Sequence, residues 1–516
     1  MPHSSFCCLS GGCKWVSEYN WVPHFWPKLP EVGILTLVRS TVSTKENPAL
    51  QQAEAEIQSH SSGLRRELGV VDLAFAQILV IIVPEFFGTA VKAGNAHVFL
   101  WLLAITFFFI PHAYVVAHLN RLMPLEGGLY EWARLAFSDR VGFLTAWNMW
   151  LMQTIQVSQI ALVTTSYLSY ALPGASWIAT SPAVIVPASL ALIVMMMMIA
   201  RFGLSVGKWV NNVGSAFTIF ILAVLIFLPY LHVWRGHLPA YHPLPLLLPP
   251  MTLFSLSVFS KMTFGALSGF ETVSTVAGES RNPARNITRS IMVTAPIIAL
   301  LYIFGTSGIL AFVSPDAIDV IGPIPQALRT GFAMFGMARS IVSVAILLLL
   351  LNYLCSYTFF FSANTRLPMA AGWDRLLPRW FGNLHPRYRT PVNSILFMGG
   401  VALAASIAVL VGSGNQESFI LLQTWTWTFY GLAYLVKFAI PLVSAKEKGL
   451  RPKPWLQAGA ATGFLVTFLF VVLSVQPVIP VASKLIYLLK VVVVVTAANV
   501  LGWIIYRSGG QANASA

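Results

Sequence analysis

The stretch Ser260-Lys-Met-Thr-Phe-Gly-Ala-Leu-Ser-Gly-Phe-Glu271 decides the fold class of this chain. It places two glycines, three hydroxyl side chains, a lysine and a glutamate inside a segment apolar enough to cross a bilayer. Charged side chains at membrane depth cost roughly 2.5 to 3.5 kcal/mol each, so they face a cavity or a partner. Irregular backbone at that depth also needs a protein interior. The stretch predicts a broken membrane helix, which a solute transporter needs and a structural anchor does not.

Composition indicates that the whole chain is a membrane protein. Of its 516 residues, 57% are hydrophobic and only 10% are charged, against about 25% charged residues in soluble domains. The net charge of +14 indicates no nucleic-acid partner, because the basic residues lie in short loops and form no patch with aromatics. The four cysteines fit neither a disulfide framework nor a zinc site, and the sequence predicts no metal or other cofactor.

Apolar windows of about 20 residues predict twelve membrane spans, and therefore an all-α polytopic membrane protein. We number these spans 1 to 12 in chain order. They are 70–91, 97–119, 141–171, 183–200, 210–231, 253–277, 291–313, 340–363, 392–411, 419–441, 460–475 and 481–506.

Lysine and arginine indicate the orientation of the spans. Loops after even-numbered spans contain Arg121, Arg134, Arg140, Arg201, Lys208, Arg281, Arg285, Arg289, Arg366, Arg375, Arg379, Arg387, Arg389, Lys446, Lys448, Arg451 and Lys453. Loops after odd-numbered spans contain only Lys92, Arg235, Arg329 and Arg339. We therefore predict a multi-pass protein of the cytoplasmic membrane with both termini in the cytosol.

Two segments outside the spans allow alternative interpretations. Residues 1–64 precede the first span, and we expect a cytosolic, largely unstructured extension, unless translation begins near Val42. The predicted external loop 314–335 contains three prolines and is apolar enough to dock as a lid, although a plain surface loop fits its sequence equally well.

The first span is interrupted at Ile81-Ile-Val-Pro84-Glu85. Pro84 has no amide hydrogen and its ring clashes with the carbonyl of Val80, so a backbone carbonyl is freed near the membrane centre. Glu85 adds a carboxylate at the same point. We predict that Val83, Pro84 and Glu85 contact a solute, although a proline kink with a structurally paired Glu85 is the alternative.

The sixth span is interrupted by different means, because Gly265 and Gly269 loosen the helix and Ser268 can cap freed backbone groups. Two interrupted spans, five apart, indicate an inverted-repeat transporter with its site between them. Half-helix amino termini there would bind a carboxylate and freed carbonyls an ammonium, which fits a zwitterionic amino acid. The predicted solute contacts in this span are Phe264, Gly265, Ala266, Leu267, Ser268 and Gly269.

Other polar residues are further candidates. Gln153, Gln156 and Gln159 share one face of the third span, and we include Gln153 and Gln156 among the solute contacts, although interhelical hydrogen bonds explain the stripe as readily. Lys261 and Glu271 are candidate coupling or gating groups. A static ion pair or a helix cap is the alternative for Glu271.

Three separated motifs resemble the amino acid/polyamine/organocation (APC) superfamily. They are Pro124-Leu-Glu-Gly-Gly128-Leu-Tyr130, the run from Phe264 to Glu271 closed by Glu279-Ser-Arg-Asn282-Pro283-Ala-Arg285, and Arg366 to Pro378 with His385-Pro-Arg-Tyr-Arg-Thr-Pro391. The resemblance covers about residues 65–510.

The resemblance implies two inverted five-span repeats, at 65–240 and 241–445, followed by two more spans and a cytosolic tail in 446–516. It also implies alternating access around a central site on spans 1, 3, 6, 8 and 10, with the carboxylate-binding turn at 265–269. One departure concerns the first span, where Ile81 to Pro84 replaces the usual Gly-x-Gly turn. Bulky β-branched residues hinder the close approach of a carboxylate, so the sequence casts doubt on the usual amino acid pose on that side.

These observations favour a secondary transporter of amino acids that uses protons or sodium as a coupling ion. An amine carrier is the alternative, with Glu85 and Glu271 as paired carboxylates for a dication. A membrane-embedded enzyme or a transporter-like sensor is a distant alternative, because no nucleophile and base pair and no patterned soluble domain is visible in the sequence.

Overall fold

The computed structural model describes residues 68–123, 128–202, 208–280, 282–335, 338–365, 367–370, 383–388, 390–411, 413–444 and 452–514. All of these residues belong to one compact unit that spans 47–516. The expectations for residues 1–64, most of the Pro124-to-Gly128 motif and much of the loop at 366–391 lie outside the described residues.

The described part of the chain is helical and contains no strand, only the isolated bridges Leu68–Ser280 and Leu384–Pro391, which confirms the predicted all-α class. The helices that correspond to spans 1 to 6 are Val70–Ile81 with Glu85–Val91, His97–Ala104 continuing to Ile110–Leu122, Asp139–Val157 with Ile160–Ala171, Pro182–Phe202, Lys208–Trp234, and Leu253–Leu267 with the 3₁₀ segment Phe270–Glu279. Those of spans 7 to 12 are Pro283–Leu310, Ala338–Asn364, Val392–Leu410, Asn415–Ala439, Pro454–Leu473 and Lys484–Ala514.

By length and composition, ten helices in the described residues could cross a membrane, and the bent pair of span 1 makes eleven. Predicted span 3 is not among them. It is divided at Ser158 and Gln159, and its first helix contains polar residues such as Asn148 and Gln156. Its assignment as a span therefore stays a prediction.

Burial differs sharply between the spans and shows which of them form the centre. In span 6, 72% of the most apolar window lies inside the protein, against 11% in span 12. The charged and hydroxyl side chains of span 6 therefore face protein, whereas span 12 is a peripheral helix that suits contact with lipid. Span 1 packs against spans 5, 6 and 7, and span 10 packs against spans 3 and 11.

The loop 314–335 is docked on the protein and contains the helix Pro323–Gly331. Its apolar residues Ile318, Val320 and Ile324 are buried. The Asp319 carboxylate accepts hydrogen bonds from Ser166 Oγ at 3.0 Å and Tyr170 Oη at 3.1 Å, both in span 3. The loop therefore covers the ends of spans 1 and 3, as the lid interpretation expects.

Candidate functional site

The helix of span 1 breaks between Ile81 and Glu85, and its two halves meet at an angle of 54°. The break occurs at Pro84, as the sequence predicts. One side chain completes the hydrogen bonds of the freed backbone: the Tyr302 hydroxyl donates to the Ile81 carbonyl at 2.8 Å and accepts from the Val83 amide at 3.1 Å. Tyr302 belongs to span 7, so that span fixes the geometry of the break.

The helix of span 6 ends at Leu267, and the chain passes through Ser268 and Gly269 before it continues as a 3₁₀ segment. Gly269 has a φ of +123°, a conformation that residues with a Cβ rarely adopt. Its amide donates to the Tyr434 hydroxyl of span 10 at 2.7 Å. The positive φ therefore favours glycine at position 269. The hydrogen bond to Tyr434 shows that span 10 stabilises the second break.

The two breaks lie against each other. A Cβ on Gly265 would lie 1.9 Å from the ring of Phe86, so the ring that follows the first break packs directly on span 6. A Cβ on Gly269 would lie 3.1 Å from Val80 Cγ1, on the other side of the first break. The sequence prediction that the interrupted spans pair with each other agrees with this arrangement.

A carboxylate lies at the centre of this region. Glu85 is fully buried, and its Oε1 accepts a hydrogen bond from the Tyr353 hydroxyl of span 8 at 2.8 Å. The hydroxyl oxygens of Tyr353 and Tyr357 are 2.6 Å apart. Gln159 Nε2 donates to Tyr357 at 2.8 Å and Gln156 Nε2 donates to it at 3.4 Å. A continuous polar network therefore joins spans 1, 3 and 8.

Several buried polar atoms around the breaks have no hydrogen-bond partner among the described residues. They are Glu85 Oε2, Ser158 Oγ, Gln159 Oε1, Thr263 Oγ1 and Ser268 Oγ. Buried polar groups almost always bond to protein, water or a ligand, because leaving one unsatisfied costs about 1 to 3 kcal/mol. A solute bound beside the breaks of spans 1, 3 and 6 could satisfy these groups.

A second polar cluster surrounds Glu271, just past the break of span 6. Its Oε2 lies 3.2 Å from Lys437 Nζ, 3.2 Å from His112 Nε2 and 2.8 Å from the Tyr434 hydroxyl. Its Oε1 accepts from the Tyr430 hydroxyl. All of these side chains are buried, and they connect span 6 with spans 2 and 10. The structure therefore places Glu271 in a buried ion pair, with every carboxylate oxygen engaged.

The family model for amino acid permeases matches residues 68–497 of the chain. The chain belongs to the amino acid permease family. This confirms the predicted APC superfamily membership, and the permease is a multi-pass membrane transporter.

Its relatives differ in the solutes their names give. The permease is 22% identical over 384 residues to the probable agmatine/putrescine antiporter AguD of Lactococcus lactis, across 74% of this chain and 80% of that protein. It is 24% identical over 390 residues to the branched-chain amino acid permease BcaP of Bacillus subtilis, across 71% of this chain and 81% of that protein.

A solved structure shares the fold. The permease superposes on the crystal structure of MhsT in complex with L-phenylalanine with a TM-score of 0.55 and 13% sequence identity, over 80% of this chain and 99% of that one. The likeness supports the predicted fold class, in which the breaks of spans 1 and 6 face each other.

The remaining sequence-predicted residues of the permease lie at varying distances from the breaks. Phe264 stacks on Phe470 of span 11, with ring centroids 4.4 Å apart. Ala266 and Leu267 are buried, and the Leu267 carbonyl bonds to His112 Nδ1 at 3.0 Å. Gln153 is half-buried, one helical turn before Gln156.

Lys261 is separate from the Glu271 cluster. Its buried ammonium donates to the Gln476 carbonyl at 2.5 Å, in the connection between spans 11 and 12. Ser257 Oγ donates to the same carbonyl at 3.1 Å. Lys261 therefore links span 6 to that connection, and it is Lys437 that pairs with Glu271.

Sequence reasoning missed most residues that bond to the span 1 break and that build the networks around Glu85 and Glu271. The missed residues are Tyr302, Tyr353, Tyr357, Tyr430, Tyr434 and Lys437. Two sets of these residues have a helical spacing that the sequence shows. Tyr353 and Tyr357 lie at i, i+4, and Tyr430, Tyr434 and Lys437 lie at i, i+4, i+7. Each spacing places polar side chains on one face of an apolar helix, which indicates a buried polar stripe.

Proposed function

We propose that the permease moves a small solute with an amino group, an amino acid or a related amine, across the cytoplasmic membrane by alternating access. The observation that carries the proposal is the fully buried Glu85 carboxylate at the meeting point of the two breaks, with Oε2 unpaired among the described residues. A buried carboxylate without a cationic partner is costly, and an ammonium supplied by the solute would offset that cost. The names of AguD and BcaP include both solute classes.

The proposed solute contacts are the groups that border the breaks. They comprise Val83, Pro84, Glu85, Gln153, Gln156 and the turn Phe264, Gly265, Ala266, Leu267, Ser268 and Gly269, to which the structure adds Tyr353 and Tyr357 as neighbours of Glu85. Within this set the unpaired oxygens of Glu85 and Ser268 support direct contact best. Phe86 and Trp427, whose ring centroids are 5.0 Å apart, add an aromatic wall beside Gly265.

Alternating access requires that one part of the fold moves against another. We propose that the repeats at 65–240 and 241–445 do so, with the breaks of spans 1 and 6 as hinges. The docked loop 314–335 supports this proposal, since Asp319 and the buried Val320 connect the second repeat to spans 3 and 1 of the first. Release of this loop would open the side that the arginine pattern predicts to be external.

For coupling, we propose that Glu271 is the group whose interactions change during the cycle. It connects spans 2, 6 and 10 through Lys437, His112 and two tyrosines, so movement of span 6 must disturb an ion pair. Proton transfer to this carboxylate would weaken its contact with Lys437 and release span 6. The ammonium of Lys261 donates to the Gln476 carbonyl, and Lys261 is proposed only as a gating contact between span 6 and the connection after span 11.

A counterflow screen of the purified permease in proteoliposomes tests the proposal. Vesicles loaded with each of a panel of amino acids and amines are assayed for exchange with the same labelled compound, with and without sodium and a pH gradient. At least one compound is expected to exchange, and its exchange is expected to fall in Glu85→Gln. Absence of exchange for every compound under every condition contradicts the proposed function.

A further inference from the structure

The backbone amides of the span 1 break have acceptors within the protein. The Val83 amide donates to the Tyr302 hydroxyl at 3.1 Å and to the Ile81 carbonyl at 2.9 Å. Pro84 has no amide hydrogen. The next two amides, of Phe86 and Phe87, donate to the carbonyls of Val83 and Pro84 at 3.1 and 3.2 Å. The amides of Val83, Phe86 and Phe87 are therefore already engaged within the protein.

Tyr302 is held in this position by its neighbours. Its ring lies 4.7 Å from that of Phe87 and 5.0 Å from that of Trp101, measured between centroids, and the Trp101 ring is stacked on it. Trp101 is itself fixed by a hydrogen bond from Nε1 to Thr306 Oγ1 at 3.2 Å. The Tyr302 hydroxyl is therefore held in place by the protein. It bonds to the Val83 amide and the Ile81 carbonyl, the backbone groups that a helix break would otherwise offer to a zwitterion.

The same break presents a buried carboxyl group. Glu85 is buried there with Oε2 lacking a partner among the described residues, and the hydroxyls of Tyr353 and Tyr357 continue from its Oε1. A substrate carboxylate beside Glu85 would meet a like charge in a region of low dielectric, which is strongly unfavourable. An ammonium at the same point would find a carboxylate and aromatic faces, both of which attract cations.

The second carboxylate of this region is already engaged. Glu271 is paired with Lys437 and His112 and accepts from two tyrosines, so it has no free oxygen for a second ammonium. Recognition of a dication by Glu85 and Glu271 together therefore lacks support in the structure. One ammonium is the charge that this site can neutralise.

We infer that the permease selects amines over the amino acids that carry the same side chain, because Glu85 binds the ammonium while Tyr302 closes the span 1 break to a carboxylate. The inference rests on the proposed function and narrows its substrate class. Tyr302 acts by bonding to the backbone of the break. It is therefore proposed to determine substrate specificity, although its side chain carries no charge.

Matched pairs of compounds test this inference in counterflow. Isoamylamine against leucine and phenethylamine against phenylalanine differ only by the carboxylate, and each amine carries one positive charge. The wild-type protein is expected to exchange the amine at least about tenfold faster than its amino acid, which corresponds to about 1.4 kcal/mol of discrimination. Tyr302→Phe keeps the ring stacking and removes the hydroxyl that bonds to the Val83 amide and the Ile81 carbonyl, so it is expected to reduce that ratio severalfold.

Tyr487→Phe is the matched control, since it removes another buried hydroxyl, 2.6 Å from Thr424 Oγ1, far along the chain from the breaks. The ratio of amine exchange to amino acid exchange in Tyr487→Phe is expected to equal that of the wild-type protein. If Tyr302→Phe does not elute as a folded protein, Glu85→Gln takes its place and is expected to lower amine exchange more than amino acid exchange.

Amino acids that exchange as fast as their amines in the wild-type protein overturn the inference and leave the proposed function intact. An unchanged ratio in Tyr302→Phe, equal to that of Tyr487→Phe, also overturns it. Failure of every amine and every amino acid to exchange contradicts the proposed function as well.

Discussion

Lys437 Nζ lies 3.2 Å from Glu271 Oε2 and 2.9 Å from the centroid of the Tyr434 ring, so one fully buried ammonium touches both a carboxylate and an aromatic face. Desolvation makes such a pair a weak source of net stability. Loss of one partner, however, leaves the other as an uncompensated buried charge. The pair therefore responds very differently to single and double substitution.

Lys437→Met is expected to destabilise the permease by about 3 to 5 kcal/mol, because it leaves Glu271 without its main cationic partner. The double variant Glu271→Gln with Lys437→Met removes both charges and is expected to recover most of that loss. Thermal unfolding in detergent measures the stability of the single and the double variant. Equal destabilisation by the single and double variants would show that the ion pair has no such role.

Glu271→Gln also tests the proposed coupling. Counterflow, which is driven by the loaded solute and needs no pH gradient, is expected to persist in this variant, whereas stimulation of uptake by a pH gradient is expected to disappear. Glu131→Gln is the control, because Glu131 pairs with Arg134 at 2.9 Å outside the central spans. Full stimulation by the pH gradient in Glu271→Gln would exclude this carboxylate as the coupling group.

The lid contact offers a third test. Asp319→Ala removes the acceptor for Ser166 and Tyr170, and hydrogen bonds to charged groups contribute about 1.5 to 3 kcal/mol each. Amide exchange of residues 314–335 is expected to rise at least about tenfold, as the loop opens more often. The control Asp316→Ala removes an exposed acid from the same loop. Identical exchange in the two variants would count against a docked lid.

The contact between the two breaks is testable by repacking. Gly265→Ala is expected to cost about 1 to 3 kcal/mol, because its Cβ would overlap the ring of Phe86. A second substitution, Phe86→Leu, gives the added methyl group room and is expected to restore part of the stability. The comparison is a double-mutant cycle measured by thermal unfolding. Strictly additive effects of the two substitutions would mean that the residues are not in contact.

The sequence predicts the breaks because their causes are local. Pro84 removes an amide hydrogen, and Gly269 permits a φ that other residues avoid, so each marks its own position in the chain. It does not predict the partners that complete the breaks. Tyr302 lies 221 positions from Ile81 and Lys437 lies 166 positions from Glu271, and no periodicity connects such distant residues.

Burial alone also fails to indicate which way an aromatic side chain points. Phe264 has the position expected for a contact at the turn, yet its ring packs towards spans 10 and 11. Phe86, which sequence reasoning did not single out, faces Gly265 instead. The choice between them depends on the crossing of spans 1 and 6, which tertiary packing determines.

The most direct test of the central proposal compares Glu85→Gln with the wild-type permease and with the Glu131→Gln control in a counterflow assay. The assay uses a compound that the wild-type protein exchanges, at matched amounts of folded protein. If Glu85 binds the solute, exchange falls at least about tenfold in Glu85→Gln and stays near the wild-type rate in Glu131→Gln. Unchanged rate and KM in Glu85→Gln would contradict a solute site at the break of span 1.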